Sequence, residues 1–122
     1  MKVVCYVDTT TNEHKYALSD DVDAFTKTLK PGEIIKYFFN EESNVIAKMN
    51  HYEQSFYDYC SDYNLKPSDL HGKYSKTGNS FDYELVEFNP RNNKYKFILK
   101  NVSTGRLTKA THGFFKNLIK IA

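Results

Sequence analysis

The chain has 122 residues, 40% apolar and 16% aromatic, with ten Tyr, nine Phe and no Trp. That length suits one domain, the aromatic content excludes intrinsic disorder, and no apolar stretch approaches the ~20 residues a membrane span needs. The net charge of +2 hides a polarity: residues 1–64 carry six Lys against eleven acids (−5), while residues 65–122 carry eleven basic residues against four acids (+7).

Lys2–Asp8, rich in Val and Tyr, reads as a strand, Thr9–Glu13 as a polar turn and His14–Leu18 as the return strand of a hairpin. Ser19 is the expected N-cap of a short helix, with Asp20, Asp21 and Asp23 in the first turn, where the helix dipole favours carboxylates. Val22, Phe25 and Leu29 share its inner face, and Pro31-Gly32 stops it. Glu33–Phe39 is β-branched and aromatic, hence a strand. Asn40 is placed to cap the next helix, with Glu41 and Glu42 in its first turn. Val45, Met49, Tyr52, Phe56, Tyr59 and Tyr63 then recur at steps of three and four, the signature of an amphipathic helix closed by Asn64 and Pro67.

Residues 67–78 read as a turn-rich connection. Beyond it the period drops to two. Phe81, Tyr83 and Leu85 face one way, and after the turn at residues 89–93 the strand Lys94–Val102 repeats the pattern, with Tyr95, Phe97 and Leu99 inward and Lys94, Lys96 and Lys100 outward. Ser103-Thr104-Gly105 is a tight turn into the strand 106–111, and Thr111 caps a short helix bearing Phe114, Phe115, Leu118 and Ile119, so that a helix or a last strand closes the meander. The expected fold is therefore α+β: hairpin, short helix, strand, long amphipathic helix and a C-terminal antiparallel meander. An acidic lobe over residues 1–66 and a basic, β-rich lobe over 72–122 pack as one domain, because sixty residues alone make only a marginal core.

Enzyme signatures are missing. His14, His51, His71 and His112 lack metal-ligand spacing, no CxxC or HExxH occurs, and the five glycines are isolated, so no metal, cofactor or phosphate loop is expected. Cys5 and Cys60 read as reduced, buried thiols, and no secretory leader is evident, which suits a cytoplasmic protein. His71, Lys73, Tyr74, Arg91 and His112 have the residue types of a small metal-independent ribonuclease, without a motif to join them.

The basic meander is the main candidate surface. From Phe88 onward there are eight basic side chains and no acid. Arg91, Lys94, Lys96, Lys100, Arg106 and Lys109 supply charge for phosphates, and Tyr74 and His112 supply rings for bases, which makes DNA or RNA the expected partner. The competing explanation is a solvated sheet face with lysines paired across strands to Asp82, Glu84 and Glu87. A second candidate is an acidic aromatic surface of Glu53, Tyr57 and Asp58 on the long helix, suited to a host protein. The opposed charges of the two halves also allow a homodimer.

Gly72-Lys73-Tyr74, Phe81–Val86, Asn89-Pro90-Arg91, Lys94–Phe97 and Thr104-Gly105-Arg106 together resemble the SH3-like β modules of bacteriophage accessory proteins. The likeness spans about fifty residues and rests on the order of strands and turns. It implies a nucleic-acid- or protein-binding role, without catalysis, in a host cytoplasm. The bias towards Lys, Asn, Tyr and Phe suits the same AT-rich source.

Overall fold

A computed structural model describes residues 1–40, 45–70, 72–76 and 82–121. Strands β1 (Lys2–Asp8) and β2 (Glu13–Ser19) pair antiparallel from Lys2↔Ser19 to Asp8↔Glu13, as the hairpin reading expects. Asn12 takes the left-handed conformation (φ 58°) in the intervening turn, where the Asp8 carbonyl accepts from its N–H at 2.8 Å. β3 (Glu33–Asn40) pairs with the other edge of β1, so β1 is central and Val3, Val4, Cys5 and Val7 are all buried.

Helix α1 (Val22–Thr26) is shorter than its pattern suggests and begins later. Asp21, not Ser19, is the N-cap, accepting from Ala24 N–H at 3.2 Å, while Ser19 ends β2. The helix frays after Thr26 because the hydroxyls of Thr26 and Thr28 donate back to the carbonyls of Val22 and Phe25 and the chain tightens into three-residue turns. Val22, Phe25 and Leu29 still pack inward, with Phe25 edge-on to Tyr6 at 5.4 Å.

Helix α2 (Met49–Tyr63) covers the opposite face of β1 and β3 and is preceded by a 3-10 turn at Ile46–Lys48. Its stripe behaves as spaced: Val45, Met49, Tyr52, Phe56 and Tyr59 are buried, while Tyr63 emerges 51% exposed. Asn64 closes the helix at φ 52°. Asn40 belongs to β3, and the proposed first-turn acids Glu41 and Glu42 lie outside the described residues, as do His71, Phe81 and Gly78.

The second half is a sheet of order β8-β4-β5-β6-β7, from β4 (Lys73–Lys76), β5 (Asp82–Phe88), β6 (Phe97–Asn101), β7 (Leu107–Ala110) and β8 (Leu118–Lys120). Here the connection 67–78 is corrected: its end is a strand that pairs with both β5 and β8. Four residues are too few for a period to show in sequence. β6 is also shorter than its pattern. Asn89 and Asn92 side chains accept from the N–H groups of Arg91, Lys94 and Tyr95, so residues 94–96 finish the turn instead of starting the strand. Thr111 caps α3 (His112–Phe115) by accepting from Phe114 N–H, as expected, but the helix stops at Phe115, and Leu118 and Ile119, read as its continuation, belong to β8. β3 meets β5 at Phe38↔Phe88, and buried side chains from both halves form one cluster.

Both cysteines are free thiols. Burial pushes Cys5 up to about 12 and Cys60, at the C-terminal end of α2, up to about 11. At pH 8 the native Cys60 thiolate is scarcer than in an unfolded chain by about a hundredfold, and its reaction with a disulfide reagent will slow accordingly until denaturant is added. Both values lie above the ordinary 9.0, so the native state holds these protons longer. Stability is therefore intact below pH 9 and declines as pH rises towards 11–12, which urea titrations across that range will register.

Candidate nucleic-acid interface

The outer face of the C-terminal part of the sheet is built from residues that alternate with its core. Phe97, Leu99 and Ala110 point inward, so Ile98, Lys100, Leu107 and Lys109 point outward, with Lys100 opposite Leu107 and Ile98 opposite Lys109. Arg106 stands exposed at the start of β7, in the turn whose Gly105 takes φ 73°. Lys100 and Lys109 thus share the outer face, Arg106 stands at the adjoining turn, and among the described residues none of the three closes an ion pair.

The face is not purely cationic. Lys73, Glu84 and Lys100 are successive cross-strand neighbours, so one carboxylate sits between two ammonium groups. Glu84 nevertheless has its pKa raised, first by burial and then by Asp23 of the acidic half, with Lys100 and Lys73 opposing. Glu87 turns away to accept from Asn40 N–H at 2.8 Å. The anionic half therefore borders the patch at β5 and leaves the β6–β7 edge positive.

Four expected contributors are placed differently. Lys96 is half-buried, and its ammonium donates to the carbonyls of Pro90 and Asn92 at 2.8 and 2.9 Å while lying over the Tyr59 ring. It holds the 89–96 loop together, and burial lowers its pKa. Tyr74 is only 2% exposed, packed edge-on to Phe115, with its hydroxyl donating to the Asp69 carbonyl, so it has no face for a base. Lys94 and Arg91 are exposed but lie in the loop, over the rings of Tyr95 and Tyr52 respectively.

His112 does meet an exposed ring. It stacks on Tyr63 with centroids 3.7 Å apart and planes at 27°, and the Tyr59 hydroxyl binds its Nδ1. Burial and neighbouring Lys116 lower its pKa and keep the imidazole neutral. This pair lines a groove of about 470 Å³ with Asp69, Lys116 and Lys120, and Tyr63 also borders a second groove of about 410 Å³ that contains Arg91. Sequence spacing put Tyr63 in the helix stripe and hid it as core. Only its position in the last turn of α2, where the covering sheet ends, marked it as different.

The docking candidates on α2 separate likewise. Tyr57 is 44% exposed, and Asp58 accepts from the Gln54 side chain on the helix surface. Glu53 turns inward. It pairs with Lys36, accepts from the Tyr37 hydroxyl at 2.7 Å and lies 3.4 Å from His14 Nδ1. Lys36 is wholly buried, at 0% exposure. Cys5 pairs with Tyr37 and Tyr6 with Ile35, which leaves Lys36 as the extra residue of a β-bulge. The bulge turns it to the same side as Tyr37, towards α2, where an alternating strand would have sent it to the other face. Burial lowers its pKa, with Glu53 opposing. His14 Nδ1 lies 2.7 Å from the ammonium, accepting from it, and Tyr57 caps the cluster.

The ribonuclease set does not assemble among the described residues: Tyr74 is buried, Arg91 lies over Tyr52, and His112 is held by Tyr59. Among those residues no group of three or more His, Cys, Asp or Glu is placed to hold a metal, and no helix is long and apolar enough to cross a membrane. Comparison with protein-family models, curated proteins and solved structures finds no match.

Proposed function

We propose that the protein is a non-enzymatic nucleic-acid-binding accessory protein whose C-terminal sheet contacts phosphates. The observation that carries this reading is that Lys100 and Lys109 share the outer β6–β7 face, with Arg106 exposed at the adjoining turn, without ion pairs among the described residues. Cations so placed release counterions from a polyanion and read no sequence. The order β8-β4-β5-β6-β7, with a one-turn helix before the last strand, supports the likeness to SH3-like modules. A phage origin and action in a host cytoplasm belong to the same proposal. Docking on a host protein through α2 is less favoured, because Glu53 is committed to Lys36.

Binding will weaken steeply with salt, and Lys100→Glu, Arg106→Glu and Lys109→Glu together will weaken it at least about tenfold at fixed salt while the unfolding midpoint stays put. Lys96 is left intact because its charge supports the loop. Fluorescence anisotropy over a salt series measures both effects. Affinity that ignores salt, or survives the triple reversal, refutes the proposal.

A further inference from the structure

We infer that the protein takes its nucleic acid as a single strand, seating an unpaired base against the Tyr63–His112 stack with the adjoining phosphate at Lys116. This rests on the nucleic-acid reading above and names the form of ligand that this reading leaves open. A base within a duplex has both faces covered by its neighbours, so only an unpaired one can present a ring face to an aromatic side chain.

The groove suits that role in size, chemistry and rigidity. Its volume of about 470 Å³ falls in the range of small-ligand sites. Tyr63 is half exposed and borders both grooves; the second also carries Asp58 and Asp62 beside Arg91, so the phosphate is placed on the Lys116 side. Asp69 in the first groove is occupied, accepting from Lys66 N–H at 2.9 Å. The stack is pre-formed: His112 is fixed by the Tyr59 hydroxyl, and Tyr59 is itself buried against Phe88 and Phe97. A base landing there orders little that is not already ordered, which favours binding.

The test is anisotropy with labelled oligo-dT and oligo-rU of about fifteen nucleotides and with duplexes of the same length, for the wild type, Tyr63→Ala, Tyr63→Phe and Arg106→Glu/Lys109→Glu. The expected result is a single strand of at least one type bound more tightly than duplex, weakened about ten- to a hundredfold by Tyr63→Ala and unchanged by Tyr63→Phe. Duplex bound as tightly as single strand, with Tyr63→Ala silent and Arg106→Glu/Lys109→Glu weakening both, overturns the single-strand inference and leaves the charge-based function standing. No measurable binding of any of these probes at low salt overturns both.

Discussion

Glu53→Ala is expected to destabilise the fold by about 3–5 kcal/mol, one of the two largest losses anticipated for a single side chain. The substitution leaves the Lys36 ammonium buried, with His14 as its remaining hydrogen-bond partner among the described residues, and takes the carboxylate acceptor from the Tyr37 hydroxyl. An ionised amine that has lost both water and its counter-charge cannot recover either without opening the sheet. The opposite truncation behaves differently. Lys36→Met removes the charge that needs compensation, fills the space with an apolar chain, and is expected to leave stability unchanged or raise it. Urea unfolding of both single variants and of the double variant measures the coupling, which should exceed about 1 kcal/mol. A Glu53→Ala loss below about 1 kcal/mol would mean that the ammonium reaches water, and the account of the bulge would fail.

Phe97→Ala is expected to cost about 3–5 kcal/mol by a separate route. Phe97 has no exposed surface and lies between Phe88, at 5.0 Å and 10°, and Phe115, at 4.0 Å and 11°. It thus joins β5, β6 and α3 in one ring stack and meets Tyr59 of α2 edge-on. Deleting the ring opens a cavity that three separate elements would have to close, and the covalent geometry of a sheet resists that. Phe97→Leu should retain much of the loss-free packing and cost about 1–2 kcal/mol, visible as a smaller shift of the urea midpoint at unchanged slope. Because Tyr59 holds His112, Phe97→Ala should also loosen the Tyr63–His112 stack.

Legibility in the sequence followed how local each cause was. The hairpin, β3, the buried stripe of α2 and the Thr111 cap follow from side-chain periodicity and short-range turn chemistry and stand where the residues put them, but α2 begins at Met49 and not after Asn40. The end of α1 and the start of β6 shifted because neighbouring hydroxyl and Asn side chains competed for the backbone, a local cause that periodicity does not register. β4 could not be read at all, since a four-residue strand exists only through its partners on both sides. The candidate site shows the same division. That the C-terminal third is basic is a property of composition, whereas Lys96, Tyr74 and Glu53 each had a residue type suited to binding and a tertiary environment that assigns them to the framework.

The amino-acid order alone determined the α+β class, the amphipathic stripe of α2 and the separation of charge between the halves, since each depends on residues close together along the chain. Which cations stay on the surface, which ring stays open and which ion pair is buried was decided only when β3 acquired its bulge and α2 came to rest against both halves of the sheet. Burial and pairing depend on what distant segments bring into contact, and no local pattern carries that information.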